Sequence, residues 1–289
     1  YAYVDRLAQT YAAAGIHVSR EVRGLRTPTL VPPGLLVALI VLEAQLARDN
    51  GASSINVAYT PCGHILQDVA ALTALADLTR DLPAAIVCLP WAGGSLLGVR
   101  STSTAAAWTA LTAALGCTRH AEVATVDKDQ PLDPEQVTRL LELARGVTGL
   151  AADQKEAIAA AASQEQQLIQ QEARSIVDQV LKLGQGQVAT GLERALAEGS
   201  LDIPLAAAGL CRGQVLSARD VTGAVRFLDC GALPLSVESR EWHREQLAER
   251  AYAEGRQPGV SMAIDDIYAF SKGTLVGRQE CMVSFQRVQ

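Results

Sequence analysis

Short apolar segments recur along the first half of this chain, and helix-period sequence fills the gaps between them. The segments are residues 16–21 (IHVSRE), 55–59 (INVAY), 84–90 (AAIVCLP) and 121–126 (AEVATV). Each has strand length and either alternates or runs continuously apolar. The stretches that follow them, 35–48, about 65–82, 102–115 and 133–145, carry apolar residues at helical spacing. Repeated strand–helix–strand order calls for parallel strands joined by right-handed crossovers. The first 150 residues are thereby restricted to an α/β fold, as half of an eight-stranded β/α barrel of the TIM type or as a small open sheet.

The punctuation agrees with these units. A helix over 2–14 ends at Gly15, Asn50-Gly51 closes the second helix, and Gly116 caps a later one. Asp133 followed by Pro134 reads as an N-cap and a first helical position. The run 84–90 is apolar throughout, as expected of a strand buried on both faces. After about Leu150 the character changes. A long Ala-, Gln- and Glu-rich helix over 153–183 is followed by a helix over 190–198, short strands within 201–232 (notably 224–229), a polar helix over 239–254 and a short amphipathic piece over 264–270. The expected division is 1–150, the β/α region, and 151–289, a helical and short-strand region.

Composition narrows the function. The net charge of −6, pI near 5.3 and 4% aromatic residues supply no basic or stacking surface for nucleic acid. The six cysteines form no CxxC pair, so neither zinc spacing nor a small disulfide framework is present, and reduced thiols fit a cytoplasmic protein. No signal peptide is recognisable and no apolar run reaches about 18 residues, so no membrane span is expected. The chain starts at Tyr1 and reads as trimmed or as a piece of something longer.

The stretch 54–71 (SINVAYTPCGHILQDVAA) compresses a strand, a tight loop and a helix. Ligands in α/β proteins sit at loops after the C-terminal ends of strands. This loop holds Cys62, Gly63 and His64, which read as a turn, as ligand contacts, or as a nucleophile with its base. Residues 91–98 (WAGGSLLG) are glycine-rich but carry no Walker lysine and no GxGxxG, so a plain strand-to-helix loop is the commoner reading. His17 reads as a structural histidine on a strand, and His120 and His243 as surface residues. Asp265-Asp266 reads as a charge feature of a helix N-terminus. Arg20, Arg23 and Arg26 either grip a carboxylate or sit solvated in a loop. No catalytic residue and no metal ligand is assigned.

Several long stretches, in order, resemble the large (epsilon) subunit family of glutamate mutase, also called methylaspartate mutase. They are YVDRLAQTYAAAGIHVSRE with TLVPP, INVAY with CGHILQDVAAL, LGQGQVATG, ALAEGSLDIPLA, VRFLDCGALPL and AIDDIYAFSKGTLVGRQE. The likeness covers nearly the whole chain and corresponds to the family's C-terminal portion. It implies a (β/α)8 barrel facing adenosylcobalamin held mainly by a separate small (sigma) subunit. It also implies a radical rearrangement of glutamate to 3-methylaspartate. This chain has no DxHxxG cobalamin motif, and the resemblance implies that the small subunit supplies it.

The family's substrate-gripping arginines lie in an N-terminal half-barrel outside this sequence. A half-barrel exposes a sheet edge and an apolar face, so the resemblance implies a partner chain or segment with the other half, or self-association. The family's adenosyl contacts are a lysine at a strand end and a glutamate four residues on. They fall on Val123 and Asp127, with Lys128 adjacent; an aromatic after the Trp-x-Gly-Gly motif falls on Ser95, and an apolar contact falls on Pro131. Three readings follow: a mutase component acting within an assembly, a non-catalytic scaffold that has lost these contacts, or a mutase for another amino acid.

Overall fold

The computed structural model describes residues 2–25, 28–90, 99–116, 118–123, 133–206 and 209–271. Its sheet contains β1 (Arg20–Val22), β2 (Ile55–Tyr59), β3 (Ala84–Cys88) and β4 (His120–Ala121), hydrogen-bonded in that order. All three pairings are parallel, with Arg20 opposite Ile55, Ile55 opposite Ala84, and Val87 opposite His120. The expected strand at 16–21 begins only at Arg20. Ile16 and Val18 are 53% and 46% exposed and lie outside it, because among the described residues β1 has a neighbour on one side only and the ladder spans three residues. The strand expected at 121–126 is described as His120–Ala121, and residues 124–126 lie outside the described ones.

Helix α1 (Ala2–Ala13) precedes β1, and α2 (Pro33–Asp49), α3 (Ile65–Leu78) and α4 (Val99–Leu115) connect the strands. Ile55, Val57, Tyr59 and Cys88 share one core with the buried faces of α2 and α3. The alternation of strand side chains sends Asn56, Ala85 and Val87 to the opposite face, where they are half-buried. The expectation that β3 is buried on both faces is therefore corrected. Helices α2 and α3 pack against one face, and Ala84 to Val87 stay partly accessible.

After α5 (Pro134–Ala151) and a short 3-10 turn comes α6 (Lys155–Leu183), 29 residues long. Its buried residues Ala162, Ile169, Ala173, Ile176 and Val180 recur at helical spacing and lie in the core with α2 and α3, forming a third layer. Gly34 of α2 lets α6 approach closely. A Cβ there would overlap Glu172 Oε2 and stand 2.8 Å from Glu172 Cβ. Gln166 and Gln170 of α6 donate to Asp77 of α3 at 3.3 and 2.8 Å, fixing the crossing.

The chain then forms α7 (Val188–Glu198), an antiparallel hairpin of β5 (Val215–Arg219) and β6 (Val225–Cys230), α8 (Val237–Ala253) and α9 (Val260–Ser271). Val215, Phe227 and Leu233 join the same core as β2 and α2, so buried residues on both sides of residue 150 form one cluster. Met262, Leu247 and Ala251 pack behind Ala218 of β5.

Two expectations fail in this region. His243 is buried and bonded to Glu172 at 2.6 Å, because α8 turns it toward α6. Asp265-Asp266 sits in the middle of α9, and Asp266 is a buried acceptor for Arg219 N at 2.7 Å and Arg250 Nη1 at 2.8 Å. His17 is exposed and lies before β1, because the strand starts four residues later than expected. No helix among the described residues is long and apolar enough to cross a membrane.

Candidate functional site

The C-terminal ends of β1 and β2 meet the hairpin turn of β5–β6, and the loop Thr60–His64 lies where they converge. That loop is wrapped around one carboxylate. Asp68, one turn into α3 and fully buried, accepts the Tyr59 hydroxyl at 2.9 Å and Cys62 N at 2.6 Å on Oδ1. On Oδ2 it accepts Gly63 N at 3.0 Å and Trp108 Nε1 at 3.4 Å. Gly63 has φ of +98°, a conformation that favours glycine, so the chain can turn sharply enough to aim two successive amides at one side chain. His64 is the N-cap of α3; its Nδ1 accepts Gln67 N at 3.3 Å. That assignment leaves Nε2 as the protonated nitrogen, facing Thr222 Oγ1 at 3.3 Å.

Gln67, also buried, reaches across to β6. Its Oε1 accepts Val225 N at 2.8 Å and its Nε2 donates to Val225 O at 3.0 Å, so the amide pairs with the hairpin backbone as a strand does. Glu165 of α6 accepts from Gln67 Nε2 at 2.7 Å and from Arg226 Nη1 at 2.7 Å. Arg226 also meets Asp220 at 2.8 Å. Asp220 in turn holds the hairpin turn through Thr222 N at 2.8 Å, Thr222 Oγ1 at 2.6 Å and Ala224 N at 3.1 Å.

The electrostatics follow from burial. Burial and the Asp68 charge push the Cys62 thiol well above its ordinary range, against a downward pull from Arg219. Burial, and next Asp68, likewise push the Tyr59 hydroxyl up. Burial raises the Asp68 carboxyl despite the donors that pull it down. Burial lowers His64, so the neutral imidazole is favoured. Asp220 is raised by burial but lowered more by Arg226 and the Thr222 bonds, and ends below its ordinary value.

The nucleophile–base reading of Cys62 and His64 is overturned by this geometry. The Cys62 thiol is buried and directed at Gln67 Oε1, 3.5 Å away, and His64 faces Thr222. The loop is a built turn with a half-buried imidazole at its rim.

Of the residues expected at the cofactor, Val123 lies just past the end of β4 and is half-buried. Ser95, Asp127 and Pro131 lie outside the described residues, as do Lys128 and the glycine-rich 91–98. Arg20 pairs with buried Asp5 at 3.2 Å, and Arg23 with Glu21 and, at 3.7 Å, with Glu122; Arg26 is outside the described residues. Sequence reasoning passed over Asp68, Gln67 and the hairpin charges. The signal available for the last was charge inside strands, Arg219 in VLSAR and Arg226 in VRFLDC, which a buried strand tolerates only when the charge is partnered.

Comparison with known proteins decides the family. The family described as Methylaspartate mutase E chain (MutE) matches residues 1–279. The chain belongs to the methylaspartate mutase E-chain family. It is 36% identical over 286 residues to the glutamate mutase epsilon subunit of Desulfitobacterium hafniense strain Y51, covering 96% of this chain and 59% of that one. The epsilon subunits of Treponema denticola and Escherichia coli O157:H7 are each 34% identical, over 294 and 288 residues, with 96% of this chain and 59% and 60% of theirs covered. The chain thus spans about three-fifths of the length of these E-chain relatives.

Proposed function

We propose that this chain is the C-terminal half of a glutamate mutase large-subunit barrel, serving an adenosylcobalamin-dependent rearrangement of glutamate to 3-methylaspartate. The observation that carries the reading is the sheet. Four parallel strands stand in sequential order with α2 and α3 on one face, in a chain that spans about three-fifths of its relatives. A sheet wound in one direction banks its helices on one side and leaves the other face for closure. Four more β/α units would cover Asn56, Ala85 and Val87 and pair the edges of β1 and β4 that have no strand beside them among the described residues. In this reading residues 1–150 are the barrel half and 151–289 cover it. Another chain or segment supplies the substrate-gripping half, a small (sigma) subunit holds most of the cobalamin, and the assembly is cytoplasmic.

Bound adenosylcobalamin supplies a cobalt–carbon bond that breaks homolytically to start radical chemistry. Of the four positions expected to touch it, Val123 is the described one, and an aliphatic side chain donates no hydrogen bond to an adenosyl group. Val123 therefore does not fit the contact that the family's lysine makes. What this chain contributes is a rigid C-terminal sheet edge, with the 60–64 loop locked to Asp68 and covered by the hairpin. The same valine favours a second reading, a scaffold that keeps the barrel half and its interfaces without turnover.

The test is reconstitution of the chain with the complementary half-barrel, the small subunit and adenosylcobalamin, followed by measurement of 3-methylaspartate formed from glutamate. Turnover that depends on this chain supports the mutase reading. A stable assembly that binds corrinoid but forms no product supports the scaffold, and no assembly at all contradicts both.

A further inference from the structure

Arg219, the last residue of β5, is fully buried. Its Nη2 donates to Thr29 O at 2.9 Å, in the loop after β1, and to Cys62 O at 2.7 Å, in the loop after β2. Its Nη1 donates to Gly223 O at 2.6 Å, in the hairpin turn, and its Nε has no hydrogen-bond partner among the described residues. The other buried guanidiniums nearby are paired with carboxylates. Arg226 meets Asp220 and Glu165 at 2.8 and 2.7 Å, and Arg250 meets Asp266 and Glu254, both at 2.8 Å. Among the described residues Arg219 has carbonyl oxygens where those two have carboxylates. A buried charge held by carbonyls alone is a poor device for stability, since desolvation is offset only by dipoles. Its geometric yield is specific, because one planar fork ties three separate backbone segments at the C-terminal edge of the sheet.

We propose that Arg219 is a positioning residue. Its guanidinium sets the backbone of the loops after β1 and β2 and locks both to the hairpin, so that the site's rim moves as one body. Lysine carries its three donors on one nitrogen and has no planar fork, so it lacks the separate Nη1 and Nη2 that reach the Gly223 carbonyl on one side and the Thr29 and Cys62 carbonyls on the other. The effect on turnover rests on the mutase reading given above; the coupling of the three segments does not.

The experiment compares Arg219→Lys with Asp202→Asn by hydrogen–deuterium exchange. Asp202 clamps residues 213–215 away from the site. The expected result is exchange about tenfold faster or more in residues 28–31 and 60–64 for Arg219→Lys, relative to Asp202→Asn examined at matched loss of Tm. Uniform acceleration in both variants would overturn the proposal. Where Arg219→Lys fails to fold, the unaltered chain decides. Amides of 28–31 and 60–64 are expected to open together with 219–224, and independent opening overturns the coupling. In the reconstituted assembly, Arg219→Lys is expected to lower kcat/KM about a hundredfold while Asp202→Asn leaves it unchanged, because a small misplacement of binding loops is amplified in the rate. Equal kcat/KM in the two variants contradicts the positioning role. If the unaltered assembly has no turnover, the mutase reading fails and the exchange result still decides the role of Arg219.

Discussion

Replacing Asp68 by asparagine tests the construction of the 60–64 loop. The carboxylate presents one oxygen to Tyr59 OH and Cys62 N and the other to Gly63 N and Trp108 Nε1. Asparagine turns one of those oxygens into an amide donor. With Nδ2 in the Oδ1 place it faces the Cys62 N–H; with Nδ2 in the Oδ2 place it faces the Gly63 N–H. Either rotamer leaves one buried backbone donor without an acceptor, which costs about 1–3 kcal/mol. The surviving bonds also lose their charge assistance. Against this, a neutral amide is easier to bury than a carboxylate whose protonated form burial already favours. The net expectation is a destabilisation of about 1–3 kcal/mol, with a fall in Tm of roughly 2–4 °C per kcal/mol for a domain near this size. Denaturant unfolding at neutral pH measures it, and hydrogen exchange at residues 60–64 localises it. A variant within about 0.5 kcal/mol of the parent, the range of an ordinary surface change, would refute the claim that Asp68 organises the loop.

Gly34→Ala drives a Cβ into Glu172, whose carboxylate is fixed by Ser239 and His243. We expect about 1–3 kcal/mol of overpacking loss in equilibrium unfolding, where a freely yielding side chain would cost almost nothing. His64 and Asp220 both have folded pKa values below their ordinary ones. Their contributions are therefore present above the unfolded pKa, near 6.5 and 3.8 respectively, and lost as pH falls through the folded value. Acid titrations of stability should be flatter below about pH 6.5 in His64→Gln and below about pH 4 in Asp220→Asn, and unchanged slopes would count against the assignment. The thiols of Cys62 and Cys88 are buried and pushed up by burial, so a thiol reagent should leave both unlabelled in the folded chain. Mass spectrometry finding either one labelled before unfolding would show that the loop opens freely.

The β/α order was legible because it depends on local period, and β2, α2 and α3 fall within a few residues of their expected bounds. The strand ends were not legible, because a strand stops where its neighbour stops. Ile16 and Val18 carry strand-like alternation yet have no described ladder to join. In the site, the Cys62–His64 loop could be placed after β2 from its turn residues alone. Its chemistry could not, since the thiol's fate depends on Asp68 and on Gln67, which is held by Val225 from more than 150 residues away. His243 and Asp266 were misjudged for the same reason. A polar residue on a polar helix looks exposed until a second helix turns out to carry its partner, here Glu172 for His243.

In the proposed function this chain completes a barrel with another part of the subunit. The most direct measurement is co-purification from the native source, with mass spectrometry of bound chains and a visible absorption spectrum. The account predicts a partner chain or segment carrying the other β/α half, together with the small subunit and bound corrinoid. A single species without corrinoid, unchanged after adenosylcobalamin and the small subunit are added, would contradict it.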